Sequence, residues 1–192
     1  MRFSYLLAPI LFALSPLSIA ASEHEHEQSL DAHVHGVATL NVGLDDQQLE
    51  LQFESPTMNI FGFEYKPSSE NDKQALIEAE LTLKNEQALF KLSSAAQCVL
   101  SAVTIENDLV EPTQDAHEHE HDEHADAQDE QNHSDIQVGY LFNCATPDKL
   151  HSIDLAGFFK AFPHTEKINV QLMTSTAQLG VELSQSNTVL NW

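Results

Sequence analysis

The run Asp115–Asp135, DAHEHEHDEHADAQDEQNHSD, cannot enter a hydrophobic core, and so it divides the chain. It holds five histidines (His117, His119, His121, His124 and His133) and nine carboxylates, with no Lys, Arg or large apolar residue. A segment of this kind buries too little apolar surface to offset the entropy of ordering it. The expectation is a solvated, disordered insertion over residues 112–134, with the fold assembled from its two flanks. The same residues carry a chemistry, because neutral imidazole nitrogen and carboxylate oxygen are ligands for borderline divalent ions. A second histidine group, His24, His26, His33 and His35, precedes the first apolar pattern.

The chain opens with MRFSYLLAPILFALSPLSIA, which has Arg2 at its start, an apolar middle and small residues at Ser18 and Ala20. That pattern predicts a signal peptide over residues 1–20 and an exported, periplasmic product. No cysteine stands near the expected cleavage site, and no later segment is apolar and long enough to span a bilayer, so membrane insertion is not expected. Export leaves about 170 residues, enough for one domain with a real core. The expected organisation is a histidine-containing arm over 21–32 and a single metal-binding domain over 33–192. In an oxidising compartment Cys98 and Cys144 are expected to form a disulfide across the insertion. Closing a loop of about 45 residues is worth on the order of 4 kcal/mol in the chain-entropy model. Pairing would also remove both thiolates as ligands, leaving nitrogen and oxygen donors.

The formal net charge is -22, which makes nucleic acid and anionic membranes poor partners and cations favoured ones. The insertion supplies a large part of that charge, and a merely solvated acidic segment is the bland alternative.

Alternating apolar residues predict a strand over His33–Leu44, with both histidines on one face about 7 Å apart and Gly36 marking a bulge. Asp45-Asp46 then reads as a turn, and Gln47–Glu54 as the returning strand of a hairpin that stops at Pro56. MNIFGFEYKP reads as an apolar, aromatic loop. Ser68 or Ser69 caps a helix that runs to about Lys84, with Leu76, Ala79 and Leu83 at helical spacing. Strands are expected over 97–110 and from Ile136 to Phe142, another begins near Leu150, and a short helical turn covers Leu155–Phe162. Two last strands span 167–173 and 178–183. Seven strands with one long helix define an α+β fold, with a mainly antiparallel sheet or sandwich.

His33 and His35 are the leading candidates for an ordered metal site, completed by Glu54, His151 or His164. His24 and His26 lie in the arm and are candidates to fold back on it. The insertion's five histidines form a second, looser set, weaker because each ion must order the chain that binds it. The interleaved carboxylates raise the local cation concentration and orient imidazoles, and protonation of the histidines at acid pH is expected to release metal. His151 and His164 stand alone in apolar surroundings, so a structural role outranks a ligand role for each. His117-Glu118…His121 formally matches the zinc-protease pattern, but that mechanism needs a buried helix beside a cleft, and the surroundings here are wholly polar. No nucleophile elbow or glycine-rich phosphate loop is present, and no enzyme is expected.

In their order along the chain, several pieces resemble the periplasmic zinc-regulated proteins of the ZrgA type. These are His33-Val34-His35-Gly36, Asn59-Ile60-Phe61-Gly62-Phe63-Glu64, Ala95-Ala96-Gln97-Cys98, the histidine-rich insertion, Tyr140-Leu141-Phe142-Asn143-Cys144 and Phe158-Phe159-Lys160-Ala161-Phe162-Pro163. The resemblance implies a periplasmic zinc-binding component associated with an ABC-type inner-membrane permease. Zinc binding carries over to His33, His35 and the insertion's histidines. The chain does not resemble the two-lobed solute receptors, which are longer and carry a long linking helix.

Zinc capture with delivery to an importer is therefore the leading function. A periplasmic buffer that sequesters zinc, nickel or copper without a transporter is the alternative, since imidazole suits all three ions. A secreted module whose histidines only tune solubility is the third.

Overall fold

The computed structural model describes residues 34–109 and 134–192. The expected leader, the arm and all but the last residue of the expected insertion lie outside these residues.

The first hairpin forms as the alternation requires. Strand β1 (Val37–Asp45) turns back through Asp46 into β2 (Gln48–Pro56), with Leu40 opposite Phe53 and Val42 opposite Leu51. Asp46 takes a left-handed conformation, φ 48°, which a short carboxylate side chain tolerates. The chain then makes a five-residue helix, α1 (Thr57–Phe61), where a loop was expected. Helix α2 (Glu70–Leu83) follows, capped by Ser69, whose side chain accepts from the Asp72 amide while the Asp72 carboxylate accepts from the Ser69 amide. Hydrogen bonding to Ser69 holds the Asp72 carboxyl below its ordinary range. Leu76, Ala79 and Leu83 are the residues this helix buries.

After α3 (Glu86–Leu89) and β3 (Lys91–Leu92), strand β4 (Cys98–Asn107) pairs with β5 (Asp135–Cys144) on the far side of the expected insertion. The remaining elements are β6 (Ser152–Asp154), α4 (Ala156–Ala161), β7 (Lys167–Thr174), β8 (Gln178–Ser184) and β9 (Val189–Asn191). The main sheet has the order β4-β5-β2-β1-β7-β8, and its pairs are antiparallel except β1 with β7. The strands β3-β6-β9 make a second, small sheet.

The six-stranded sheet has one dry face. A single row crosses it from Ile105 through Val138, Phe53, Leu40 and Val170 to Val181, and burial of such rows is the main stabilising term. An aromatic cluster closes over this face. Phe158 of α4 meets Phe53 at 4.7 Å between ring centroids, and Phe90 meets Tyr140 edge-on at 5.0 Å. The Tyr140 hydroxyl donates to the Leu83 carbonyl at 2.8 Å, tying the end of α2 to the sheet. The other face carries exposed polar residues such as Asn41, Glu50, Gln52, Glu54 and Gln171. The Cys98–Cys144 disulfide is formed between directly opposed residues of β4 and β5.

The α+β class and the mainly antiparallel sheet agree with the sequence. Nine strands are present among the described residues where seven were expected, and the helix over 70–83 is of moderate length at 14 residues. Ser134, the last residue of the expected insertion, is buried, and Asp135 already pairs with Pro56. No helix among the described residues is long and apolar enough to cross a membrane.

Candidate metal centre

His35 does not lie on a strand. Residues 34–37 form a tight turn closed by the Val37 amide donating to the Val34 carbonyl at 3.0 Å, and β1 starts only at Val37. Gly36 sits third in that turn at φ +83°, where a type II turn needs a residue free of a Cβ. The expected same-face pair on a strand is therefore replaced by a turn at His35, while His33 lies outside the described residues.

What selects the turn is distant in sequence. The Asn59 side chain, in α1, accepts from the Gly36 amide at 2.7 Å and donates to the Val37 carbonyl at 3.2 Å and to the Ser55 hydroxyl at 2.9 Å. On the other side the Gly36 carbonyl accepts from the Glu166 and Lys167 amides at 2.8 and 3.0 Å. A Cβ at Gly36 would stand 3.2 Å from the Glu166 side-chain carbons, so this carboxylate arm lies directly against the turn.

The turn presents His35 to Glu64. Nε2 of the imidazole and Oε1 of the carboxylate are 2.9 Å apart, and the side chains are 51% and 13% exposed. An ionised carboxylate only accepts, so Nε2 carries the proton of this bond. Glu64 is held by its neighbours. Phe63 is buried and stacks with Tyr65 at 5.1 Å. The Phe63 carbonyl accepts from the buried Thr57 hydroxyl at 3.0 Å. The Ser134 hydroxyl lies 2.6 Å from Thr57 Oγ1 and 3.3 Å from the Glu64 carbonyl, and the Thr57 amide donates to the Ser134 carbonyl at 2.9 Å. One corner thus joins the start of β1, the loop after α1, and the start of β5.

The other sequence candidates fall elsewhere. His24, His26, His117, His119, His121, His124 and His133 lie outside the described residues. His151 is exposed at the opposite end of β1, beside a groove of about 1200 Å³ that also takes in Asp45, Asp46, Asp148 and Trp192. His164 is exposed on the stretch leading to Glu166. Each sits in a connection rather than on a packed face. Glu54 projects from the exposed face of the sheet. Among the described residues no three His, Cys, Asp or Glu side chains gather on one point, so His35 with Glu64 is a two-donor arrangement. Glu64 was missed in the sequence. Its only local signal is a carboxylate set between two aromatic residues, Phe63 and Tyr65.

With this geometry in view, comparison with known families gives a match over residues 32–192 to the model described as ZrgA family zinc uptake protein. No curated protein matches the chain.

Proposed function

The chain belongs to the ZrgA family of zinc uptake proteins, and on that footing we propose that it captures Zn2+ in the periplasm and passes it to an ABC-type importer. The leader-like residues 1–20 support export, and a formed disulfide is what an oxidising compartment favours. The ions are gathered by His117, His119, His121, His124 and His133, with His24 and His26 from the arm, and the tightest is held at His33 and His35. Imidazole and carboxylate donors suit zinc, and the paired cysteines withhold the thiolates that would favour softer ions.

One observation carries this reading. Both histidine-rich passages join the ordered domain at the same corner. His33 is two residues from His35, and His133 adjoins Ser134, whose hydroxyl reaches the backbone of the residue that bonds His35. The two passages thus lead, through His33 and His133, to chain positions adjoining the His35–Glu64 corner.

Two measurements test it. Calorimetric titration with a competing chelator should find several zinc ions per chain, and His33→Ala with His35→Ala should remove the tightest. An unchanged tight site in that double variant would put the ordered centre elsewhere. For delivery, the zinc-loaded protein should stimulate zinc entry into proteoliposomes that hold the ABC permease and its ATPase. A synthetic chelator poised at the same free zinc should not. Equal stimulation by the chelator would leave the protein as a buffer that sequesters metal without a transporter.

A further inference from the structure

The hydrogen bond between His35 and Glu64 is itself the shape of a metal site with a proton where the ion would go. A tetrahedral zinc ion with bonds of roughly 2.1 Å holds its nitrogen and oxygen ligands about 3.4 Å apart. The Nε2–Oε1 distance here is 2.9 Å, so an opening of about 0.5 Å admits the ion between them. The side chain able to make that movement is His35, which is half exposed. Glu64 is mostly covered, and the bonds around Phe63, Thr57 and Ser134 fix its backbone. A carboxylate in that setting attracts a dication more strongly than a solvated one, because little water screens it. The turn beneath is equally fixed, with Asn59 on one side of Gly36 and the backbone of Glu166 and Lys167 on the other. One donor is covered and the other half exposed, and the two face each other at hydrogen-bond distance.

We propose that Glu64 is a zinc ligand, and that the ion binds between Oε1 of Glu64 and Nε2 of His35. This rests on the reading of His35 as part of the ordered zinc site and adds to it the second protein donor from the described residues. The imidazole stays neutral in the exchange. Nε2 gives up its proton to solvent and turns its lone pair to the ion, while Nδ1 takes a proton up. Water completes the coordination shell.

The competing role for Glu64 is to orient the ring, keeping the Nε2 proton while the ion binds at Nδ1, as carboxylates often do behind metal-bound histidines. The two differ in which ring nitrogen is protonated when zinc is bound. The full mature chain, labelled with 15N-histidine, is titrated with zinc against a chelator so that only the tightest site fills, and His35 is identified by its loss in His35→Gln. The expected result is metal-bound Nε2 with the proton on Nδ1. In the same assay Glu64→Gln and Glu64→Asp should each weaken the tight site roughly tenfold or more. Gln keeps an acceptor for Nε2–H, so the metal-free Glu64→Gln protein should melt as the parent does. A zinc-bound His35 that keeps its Nε2 proton, or a Glu64→Gln variant with parental affinity, overturns the proposal and leaves the His35 site standing. A His35→Ala variant with parental affinity overturns both together.

Discussion

Asn59 uses both ends of its amide. Its oxygen satisfies the Gly36 N–H and its nitrogen serves Val37 and Ser55, so a buried polar side chain does the work that a strand partner would do one residue later. That is why Val34-His35-Gly36 bends instead of extending β1. Tyr140 is a second polar residue placed in the core, and its one bond, to Leu83, is made as a donor. Burial raises the phenol's pKa well above its ordinary range, with the charge of Glu86 adding to the effect. The fold therefore favours the protonated form. Stability from this group is complete below the unfolded phenol's pKa, about 10, and falls as pH rises past it, by about 1.4 kcal/mol per pH unit. Tyr140→Phe should cost about 1 kcal/mol at neutral pH, through the lost bond. Urea melts at pH 8 and pH 11 should then show the variant losing much less to alkali than the parent. An equal loss in both would place the alkaline sensitivity elsewhere.

At the level of elements, Gly157 is the described glycine with the least room for a side chain. A Cβ there would stand 1.9 Å from the Ala88 carbonyl oxygen, so α4 packs backbone to backbone on α3. Gly157→Ala would have to separate the two helices and disturb the Phe158 cluster between them and the sheet. It should destabilise the protein by about 3 kcal/mol, read as a lower midpoint in denaturant with an unchanged slope. Gly43→Ala, where nothing lies within 4 Å of the new methyl group, should change the midpoint little and serves as the control.

The elements also show what could be read beforehand. β1, β2, β5, β7 and β8 each alternate in burial over seven or more residues, and as strands they were legible for that reason. So was the Ser69 cap, which is a local pattern. The two- and three-residue strands β3 and β9 are shorter than any period, and α1 and α3 span barely a turn. The site was half legible. His35 stands out by its type and spacing. Glu64 does not, because its contact with His35 spans 29 positions and obeys no repeat.

For the whole molecule, eight of the eleven histidines lie outside the described residues, while the His35–Glu64 pair lies within them. Deleting Asp115–His133, which spares Ser134 and β5, should therefore lower the number of zinc ions bound yet leave at least one, and the rest of the chain should keep its fold. Calorimetry and circular dichroism of the deletion variant check the two halves. Zinc should also raise the melting temperature of that variant, since an ion bound to the folded form alone stabilises it by mass action. Loss of all binding on deletion would mean that the ordered domain holds no site of its own.

The β4–β5 hairpin has its register set at both ends of the pairing, by Cys98 against Cys144 at one and Asn107 against Ile136 at the other. That register is specified within the two strands, and lengthening a flexible loop costs only about 0.6 kcal/mol per doubling. The length of residues 110–133 can therefore change, by gain or loss of His-Glu dipeptides, without altering which residues of β4 and β5 face each other.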